Sequence, residues 1–370
     1  MKTIINEEFL VSPFFVFFLM YTSIIGVGIM SFQRDITEGA GYDAWISVLL
    51  SGVSIHILVW MMYRILGLAN NDVTYIHQFC FGKWIGGLLN AVIIIYFLLM
   101  VLITFRVYIE IVQVSMFPLM KTWQISFIFL LLIYYVVSGG FRVITGICFW
   151  GTVLPFMILF PLSFFPLEFA HINHLFPLFS HSVKEILVST KTMVYQFIGF
   201  STLFMFYPFI KNPERSQKWA HFGVLTTILL YFIIAIITFV YFSEEHLKHT
   251  ILPTLTLGKI VEVPMIERFE YIIVSMWLLL VLPNICLKLW AACRGVKKLI
   301  NIKQHTILFI FLFILFCLTN VLERHRQIEQ LANVISNIGF YFSYLYIPFL
   351  FVAIHIKQKF NKSKVTSVKN

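Results

Sequence analysis

Long apolar runs, each of the length needed to cross a bilayer, set the strongest constraint on this chain. Such runs occupy 9–33, 43–65, 85–114, 123–140, 142–165, 190–210, 219–242, 266–292, 305–322 and 334–356. The hydrocarbon core of a bilayer requires about 20 apolar residues of helix. Helices and closed barrels are the only structures that satisfy their backbone groups there. The runs therefore predict an all-α integral membrane protein with ten transmembrane helices.

The composition indicates lipid, not water, as the surrounding medium. Of the 370 residues, 60% are hydrophobic and 12% are charged, whereas soluble domains carry about 25% charged residues. The formal net charge of +10 does not indicate nucleic acid, because the basic residues lie in short loops and in a tail at 357–370. Basic residues in those places are typical of segments that face an anionic leaflet. We expect the lipid bilayer as a partner and no nucleic acid.

The distribution of Lys and Arg predicts the orientation. If the N-terminus is cytoplasmic, the inner segments carry nearly twice as many of these residues as the outer loops. Cytoplasmic segments are enriched in Lys and Arg, so both termini are predicted to be cytoplasmic, which requires an even number of spans. The first run follows Glu7 and Glu8 instead of a basic leader, which favours a span over a cleaved signal peptide.

The ten spans divide into two halves of similar length within a single membrane domain, 1–370. Spans one to five cover 9–165, and spans six to ten cover 190–356. An odd number of spans in each half places the second half upside down relative to the first. Two halves related in this way form an inverted repeat, in which ligands bind near the midplane where the first helix of each repeat is interrupted.

Glycines interrupt the first span of each half at corresponding places. Gly26 and Gly28 flank Val27 in span one, and Gly199 lies in span six. Small residues of this kind also allow close helix packing, so each glycine alone is open to that reading. The matching positions favour two broken helices. The candidate ligand contacts at these breaks are Ser23, Gly26, Val27, Gly28, Ile198, Gly199 and Ser201.

A broken helix within a bilayer must have its free backbone groups satisfied by protein, water or a ligand. The start of a half-helix offers N–H donors and a partial positive charge to a carboxylate, and free carbonyls offer acceptors to an ammonium group. Spans one and six carry no ionised residue between 9 and 33 or between 192 and 210. This combination predicts a small neutral amino acid as the ligand and disfavours charged ones.

Several segments resemble the bacterial spore-germination receptor B-subunit family, and the match runs nearly end to end. The opening signature is Gly26–Asp35 (GVGIMSFQRD) with Gly41–Ser47 (GYDAWIS), followed by Gly82–Gly86 (GKWIG). The most specific segments are Pro253–Leu257 (PTLTL) and Ile266–Glu270 (IERFE), with Trp277. Gln33 stands where members of the family usually have a proline.

The resemblance implies a fold and a role. The family is part of the amino acid–polyamine–organocation superfamily, whose fold is a 5+5 inverted repeat with broken first and sixth helices. Its B subunits lie in the inner membrane of the dormant spore and sense a germinant, usually a small amino acid. They act with a membrane-embedded A subunit and a C-subunit lipoprotein, which we therefore expect as partners.

A germination receptor and an amino acid permease of the same fold both remain open, because fold does not fix function. In sodium-coupled relatives, hydroxyls of spans one and eight hold the ion, and Ser275 is the only Ser or Thr of span eight. Span five has no ionisable residue between 143 and 165, where some proton-coupled relatives place a lysine. The receptor is favoured over the transporter.

A membrane enzyme is the weakest alternative. The pairs His171/His174 and His246/His249 have a spacing that could share a metal on a helix, but both lie in predicted loops. No phosphate-binding loop or nucleophile elbow is present. We expect no catalytic residue, no metal and no cofactor.

Further ligand contacts are predicted in spans three and eight, which line the pocket beside the broken helices in this fold. Tyr96 and Met100 are four residues apart and share a helix face. Tyr96 is placed to close the cavity with its hydroxyl group, although a packed aromatic is equally consistent. In span eight, Pro283 can free a carbonyl and Asn284 can supply an amide. A kink without ligand contact remains the alternative.

Arg106 and Glu110 are predicted to form a structural ion pair, either with each other or with groups of the outer loops, and a function in gating is equally open. They lie four residues apart within span three, and ionisable groups within a span are costly and usually paired. Glu267, Arg268 and Glu270 at the start of span eight are alternative partners.

Overall fold

The computed structural model describes residues 5–260, 269–300 and 302–367. The described chain is helical, with one isolated parallel β-bridge between Val11 and Ile210. Its α-helices are α1 Val16–Ile24, α2 Phe32–Ala40, α3 Ala44–Ala69, α4 Val73–Ser115, α5 Thr122–Ser138, α6 Gly140–Leu162, α7 Val183–Phe197, α8 Leu203–Phe206, α9 Gln217–Tyr241, α10 Glu244–His249, α11 Pro253–Gly258, α12 Phe269–Leu299, α13 Gln304–Val321, α14 His325–Tyr341 and α15 Ile347–Ser367.

Seven helical segments in the described ranges are long and apolar enough to cross a membrane. They are Phe32–Ala69, Val73–Ser115, Gly140–Phe169, Pro213–Tyr241, Phe269–Leu299, Gln304–Val321 and His325–Lys359. The prediction of an all-α, multi-pass membrane protein is thereby confirmed. Three other apolar helices, Pro13–Ile24, Thr122–Ser138 and Phe200–Phe209, are shorter. The count of ten spans and their division into two repeats stay predictions.

The first described residues and the last helix both contact helix ends at one face of the bundle, which we call the terminal face. The guanidinium group of Arg142 donates to the carbonyl oxygen of Leu10 at 3.0 and 3.1 Å. The Gln358 side chain donates to the carbonyl oxygen of Leu68 at 2.9 Å. The hydroxyls of Tyr63 and Ser216 are 2.7 Å apart, which joins the end of α3 to the start of α9.

The opposite face, which we call the loop face, is closed by long connections. The Asp43 carboxylate accepts backbone N–H groups from Phe179 and Ser180, both at 2.7 Å. The hydroxyl of Tyr42 donates to the carbonyl oxygen of Phe242 at 2.7 Å. The segment between α6 and α7 is thus fixed against the start of α3 at this face.

Helix α4 bends sharply close to the terminal face. Gly82 has φ 80° and ψ −179° within an otherwise helical segment, and a positive φ of this size favours glycine. A Cβ atom on Gly86 would lie 2.8 Å from the backbone of Gln78. The two glycines of the Gly82–Gly86 motif therefore allow the chain to turn from the surface segment into the apolar part of α4.

Helix α12 lies at the centre of the bundle and contacts α4, α6, α1 and α13. Its close approach to α6 depends on Gly151, where a Cβ atom would lie 2.1 Å from the carbonyl oxygen of Leu279. Pro283 has no N–H to donate to that carbonyl. The proline therefore packs against α6, and the next residue, Asn284, is fully buried beside the end of α1.

Candidate ligand site at the two broken helices

The first broken helix changes direction at Ile25 and Gly26. Helix α1 ends at Ile24, Ile25 is extended, and Gly26 has φ −134° and ψ −146°. A 3-10 turn, Val27–Met30, follows before α2 begins at Phe32. The helical hydrogen-bond ladder is thus interrupted where the sequence predicts it.

The second broken helix has the same plan in the opposite direction. Helix α7 runs from the loop face and ends at Phe197, and Ile198 is extended with ψ 110°. After Gly199, a 3-10 turn at Phe200–Thr202 leads into α8, which continues towards the terminal face. Each polypeptide break therefore adds a helix start and a helix end to the interior of the bundle.

The two breaks are in direct contact. A Cβ atom on Gly199 would lie 1.9 Å from the carbonyl oxygen of Ser23, a distance that no side chain allows. A Cβ atom on Gly28 would lie 1.8 Å from Oε1 of Gln196, which is the end of a flexible side chain. Around Gly26 there is more room, because its Cβ would find only Nδ2 of Asn284, at 3.9 Å.

Asn284 satisfies the carbonyl groups left free at the end of α1. Its side-chain amide nitrogen donates towards three carbonyl oxygens, those of Thr22 (2.7 Å), Ser23 (3.1 Å) and Ile25 (3.0 Å). An unpaired buried carbonyl is costly, so this one side chain stabilises the break. The amide role predicted for Asn284 takes the form of a structural contact to α1.

The amide oxygen of Asn284 accepts a hydrogen bond from Lys288, one helical turn further along α12. The Lys288 Nζ atom lies 2.6 Å from Oδ1, and the lysine residue is 3% exposed. Lys288 also borders the main cavity. Lys288 could not be identified as a site residue from the sequence, because basic residues are common near the cytoplasmic ends of spans. Its spacing of four residues from Asn284 was the available signal.

A cavity of about 1030 Å³ extends to both breaks. Near the breaks its wall is formed by Ile24, Gly26, Val27, Gly28, Met100, Ile198, Tyr231 and Lys288. Towards the loop face its wall carries charged and polar groups, including Arg34, Asp35, Glu38, Glu110, Lys259, His325 and Glu329. The cavity therefore joins a polar part near the loop face to a mostly apolar inner end that carries the amine of Lys288.

Five of the predicted contacts line this cavity, namely Gly26, Val27, Gly28, Met100 and Ile198. Ser23, Ser201 and Tyr96 lie behind the wall. The Ser23 hydroxyl donates to the carbonyl oxygen of Met20 at 2.8 Å. The Tyr96 ring stacks on Phe342 with centroids 4.9 Å apart. The buried hydroxyls of Tyr96 and Ser201 make no hydrogen bond with the described part of the chain.

The predicted ion pair between Arg106 and Glu110 is not formed in the structure. Nε of Arg106 donates to the carbonyl oxygen of Leu322 at 2.7 Å. Leu322 caps the C-terminal end of α13, where carbonyls lack helical partners and the helix dipole favours a cation. Glu110 instead pairs with His325, whose Nδ1 lies 2.9 Å from Oε1. Glu267 and Arg268, the alternative partners, lie outside the described residues.

Comparison with known proteins identifies the family. The family model described as "Spore germination protein" matches residues 10–328. The chain is 42% identical over 355 residues to spore germination protein GerQB of Bacillus cereus, covering 96% of this chain and 98% of that protein. Spore germination protein B2 of Bacillus subtilis is 29% identical over 268 residues, covering 70% and 71%.

A further relative is spore germination protein YndE of Bacillus subtilis, which is 25% identical over 321 residues, covering 86% of this chain and 88% of the relative. The family match and the near full-length similarity to GerQB agree with the multi-pass helical architecture. The chain therefore belongs to the spore-germination receptor B-subunit family.

Proposed function

We propose that this protein is the germinant-sensing membrane subunit of a spore germination receptor and that it binds a small neutral amino acid between the two broken helices. One observation carries the proposal: the cavity ends at both breaks, and Gly26, Val27, Gly28 and Ile198 form its wall there. The 3-10 turn that starts at Val27 has N–H groups without helical partners. These donors suit a carboxylate group.

The shape and polarity of the inner end support a small ligand. Met100 and Ile198 narrow the cavity from the sides, and neither side chain can pair with a charged group. A basic side chain on the ligand would be buried beside the Lys288 amine without an anion, at a cost of several kcal/mol. Alanine or valine would meet no such penalty.

The cellular setting follows from the family. We propose that the protein lies in the inner membrane of the spore with both termini in the cytoplasm. Its ten spans would form a 5+5 inverted repeat in which the three shorter apolar helices complete the seven longer ones. An A subunit and a C-subunit lipoprotein would be its partners. The contacts of Leu10 with Arg142 and of Gln358 with Leu68, both at the terminal face, support an even number of spans.

Amino acid transport is the second candidate function. Its support is the cavity that leads from the loop face to a broken-helix site, which is the plan of carriers with inverted repeats. A transporter would need to open the same site towards the terminal face. The relatives are named for germination, and this favours sensing.

Binding and transport can be separated by two measurements on the purified full-length protein. A thermal-shift screen of alanine, valine, leucine, lysine and glutamate should give stabilisation by at least one neutral member and none by lysine. Reconstituted vesicles should then show no uptake of the labelled ligand above protein-free vesicles. Uptake that saturates would establish the transporter instead, and no stabilisation by any neutral amino acid would overturn the proposed site.

A further inference from the structure

Lys288 is a buried amine whose interactions are incompletely satisfied by the protein. It is 3% exposed, and among the described residues its one hydrogen bond goes to Oδ1 of Asn284 at 2.6 Å. An ammonium group has three N–H donors and no acceptor capacity. Two donors of Lys288 are therefore left over, on a side chain that borders the cavity beside the breaks.

Residues 5–260, 269–300 and 302–367 provide no counter-ion for this group. In the described part of the chain, no carboxylate oxygen lies within 4.0 Å of Nζ of Lys288. The acidic residues that line the cavity lie towards the loop face, on α2, in the last turns of α4, in the first turn of α12 and near the start of α14: Asp35, Glu38, Glu110, Glu270 and Glu329. A buried ammonium without an anion is costly in a bilayer, so an anion from elsewhere is expected.

Asn284 holds the amine next to the first break. The same amide group binds three carbonyls of α1 with its nitrogen and Lys288 with its oxygen. The Asn284 amide thus lies between the Lys288 amine and the backbone that turns at Gly26. The other neighbours of this lysine on the same face of α12, Ile285, Ala291 and Ala292, are apolar and buried, and an anion can approach from the cavity that the lysine borders.

We propose that Lys288 is the counter-ion of the ligand carboxylate. The inference rests on the proposed function, because the carboxylate is that of the amino acid bound at the breaks. The Lys288 ammonium would then hold the ligand carboxylate beside the first break. The carboxylate thereby supplies the anion that Lys288 lacks among the described residues.

A comparison of each amino acid with its uncharged carboxamide distinguishes the counter-ion role of Lys288 from a structural role. The probes are alanine, valine and leucine, each compared with its carboxamide, and binding is measured by calorimetry on the full-length protein. A site built around a charge-assisted contact rejects the analogue that lacks it by roughly 100-fold or more. Lys288→Met keeps the length of the apolar stem and removes the charge, and it should reduce this preference to less than about tenfold.

Two further variants complete the test. Lys297→Met removes a charge from the same helix at an exposed position and should keep the full preference for the acid. Lys288→Arg keeps the charge and should retain more of the preference than Lys288→Met. If Lys288 only supports Asn284, Lys288→Met would weaken the acid and the amide by the same factor, and the inference would be overturned.

Failure of the inference differs from failure of the proposed function. Wild-type protein that binds an amino acid and its carboxamide equally well overturns the counter-ion role alone. Wild-type protein that binds none of the three amino acids overturns the proposed function and the counter-ion role together. Should Lys288→Met fail to accumulate, the ratio of the affinities for the acid and the amide is measured with Lys288→Arg and Lys288→Gln. That ratio decides whether Lys288 is the counter-ion or only supports Asn284.

Discussion

Gly199 packs on the carbonyl oxygen of Ser23 so closely that a Cβ atom at position 199 would lie 1.9 Å from that oxygen. The contact joins the two helix breaks, and the nearby cavity ends at residues of both of them. The two predicted glycines therefore differ in the space available for a side chain, because Gly26 has no neighbour closer than 3.9 Å to its own Cβ position.

Gly199→Ala should therefore destabilise the protein, whereas Gly26→Ala should not. The added methyl group at position 199 must displace backbone, and overpacking of this kind costs about 1–3 kcal/mol. Thermal unfolding of the two purified variants measures the difference, and calorimetry with the ligand shows whether binding is lost together with stability. Equal unfolding temperatures for Gly199→Ala and wild type would contradict the close contact.

Asn284→Leu should lower stability by more than the loss of one ordinary hydrogen bond. The substitution leaves the carbonyls of Thr22, Ser23 and Ile25 without their donor, and unsatisfied buried groups cost about 1–3 kcal/mol each. It also removes the acceptor of Lys288. Chemical unfolding of the variant is compared with that of Asn337→Leu, where the amide is exposed. A loss no larger than that of the control would show that the amide does not stabilise the break.

Ligand binding should not depend on sodium. The carbonyls at the end of α1 that could hold a cation already accept hydrogen bonds from Asn284, and Lys288 supplies a positive charge beside them. Calorimetric titrations in sodium, potassium and choline chloride at the same ionic strength should give the same affinity. A ligand affinity that is at least tenfold higher in sodium alone would reveal a cation site that the Asn284 amide does not fill.

Arg106→Ala and Glu110→Ala should have nearly additive effects on stability. The two side chains hydrogen-bond to different partners, the Leu322 carbonyl and His325, and the attraction of opposite charges one helical turn apart contributes about 0.3–0.5 kcal/mol in helices. Arg106→Ala should cost more, because the arginine is 3% exposed and caps α13. A double-mutant cycle by thermal unfolding measures the coupling. A double variant that is much more stable than the sum predicts would restore the direct ion pair.

The breaks could be predicted from the sequence because their cause is local. Glycines within apolar runs at matching places mark where a helix stops, and helix α1 and helix α7 do stop beside Gly26 and Gly199. The seven longer helical segments follow in the same way from hydropathy and length. These features depend on neighbours in the sequence, which the sequence displays directly.

The partners of the polar side chains could not be predicted in this way. Arg106 and Glu110 share a helix face, but their partners come from the connection after α13, more than 200 residues away in sequence. Tyr96 lies on the same helix as Met100, yet Phe342 covers its ring and removes it from the cavity wall. The burial of Lys288 could not be predicted either, because the packing of α12 among other helices is a tertiary property.

The β-bridge at the terminal face gives the site a mechanical property. The backbone N–H of Val11 donates to the carbonyl oxygen of Phe209 at 2.9 Å, and that of Lys211 donates to the carbonyl oxygen of Val11 at 2.8 Å. The half-helix that precedes the first break and the half-helix that follows the second are thus fastened at their outer ends by this clasp and at their inner ends by Ser23 and Gly199. Because the two half-helices are joined at both ends, they can tilt only together. A displacement of either break therefore also displaces the segments that meet at the terminal face.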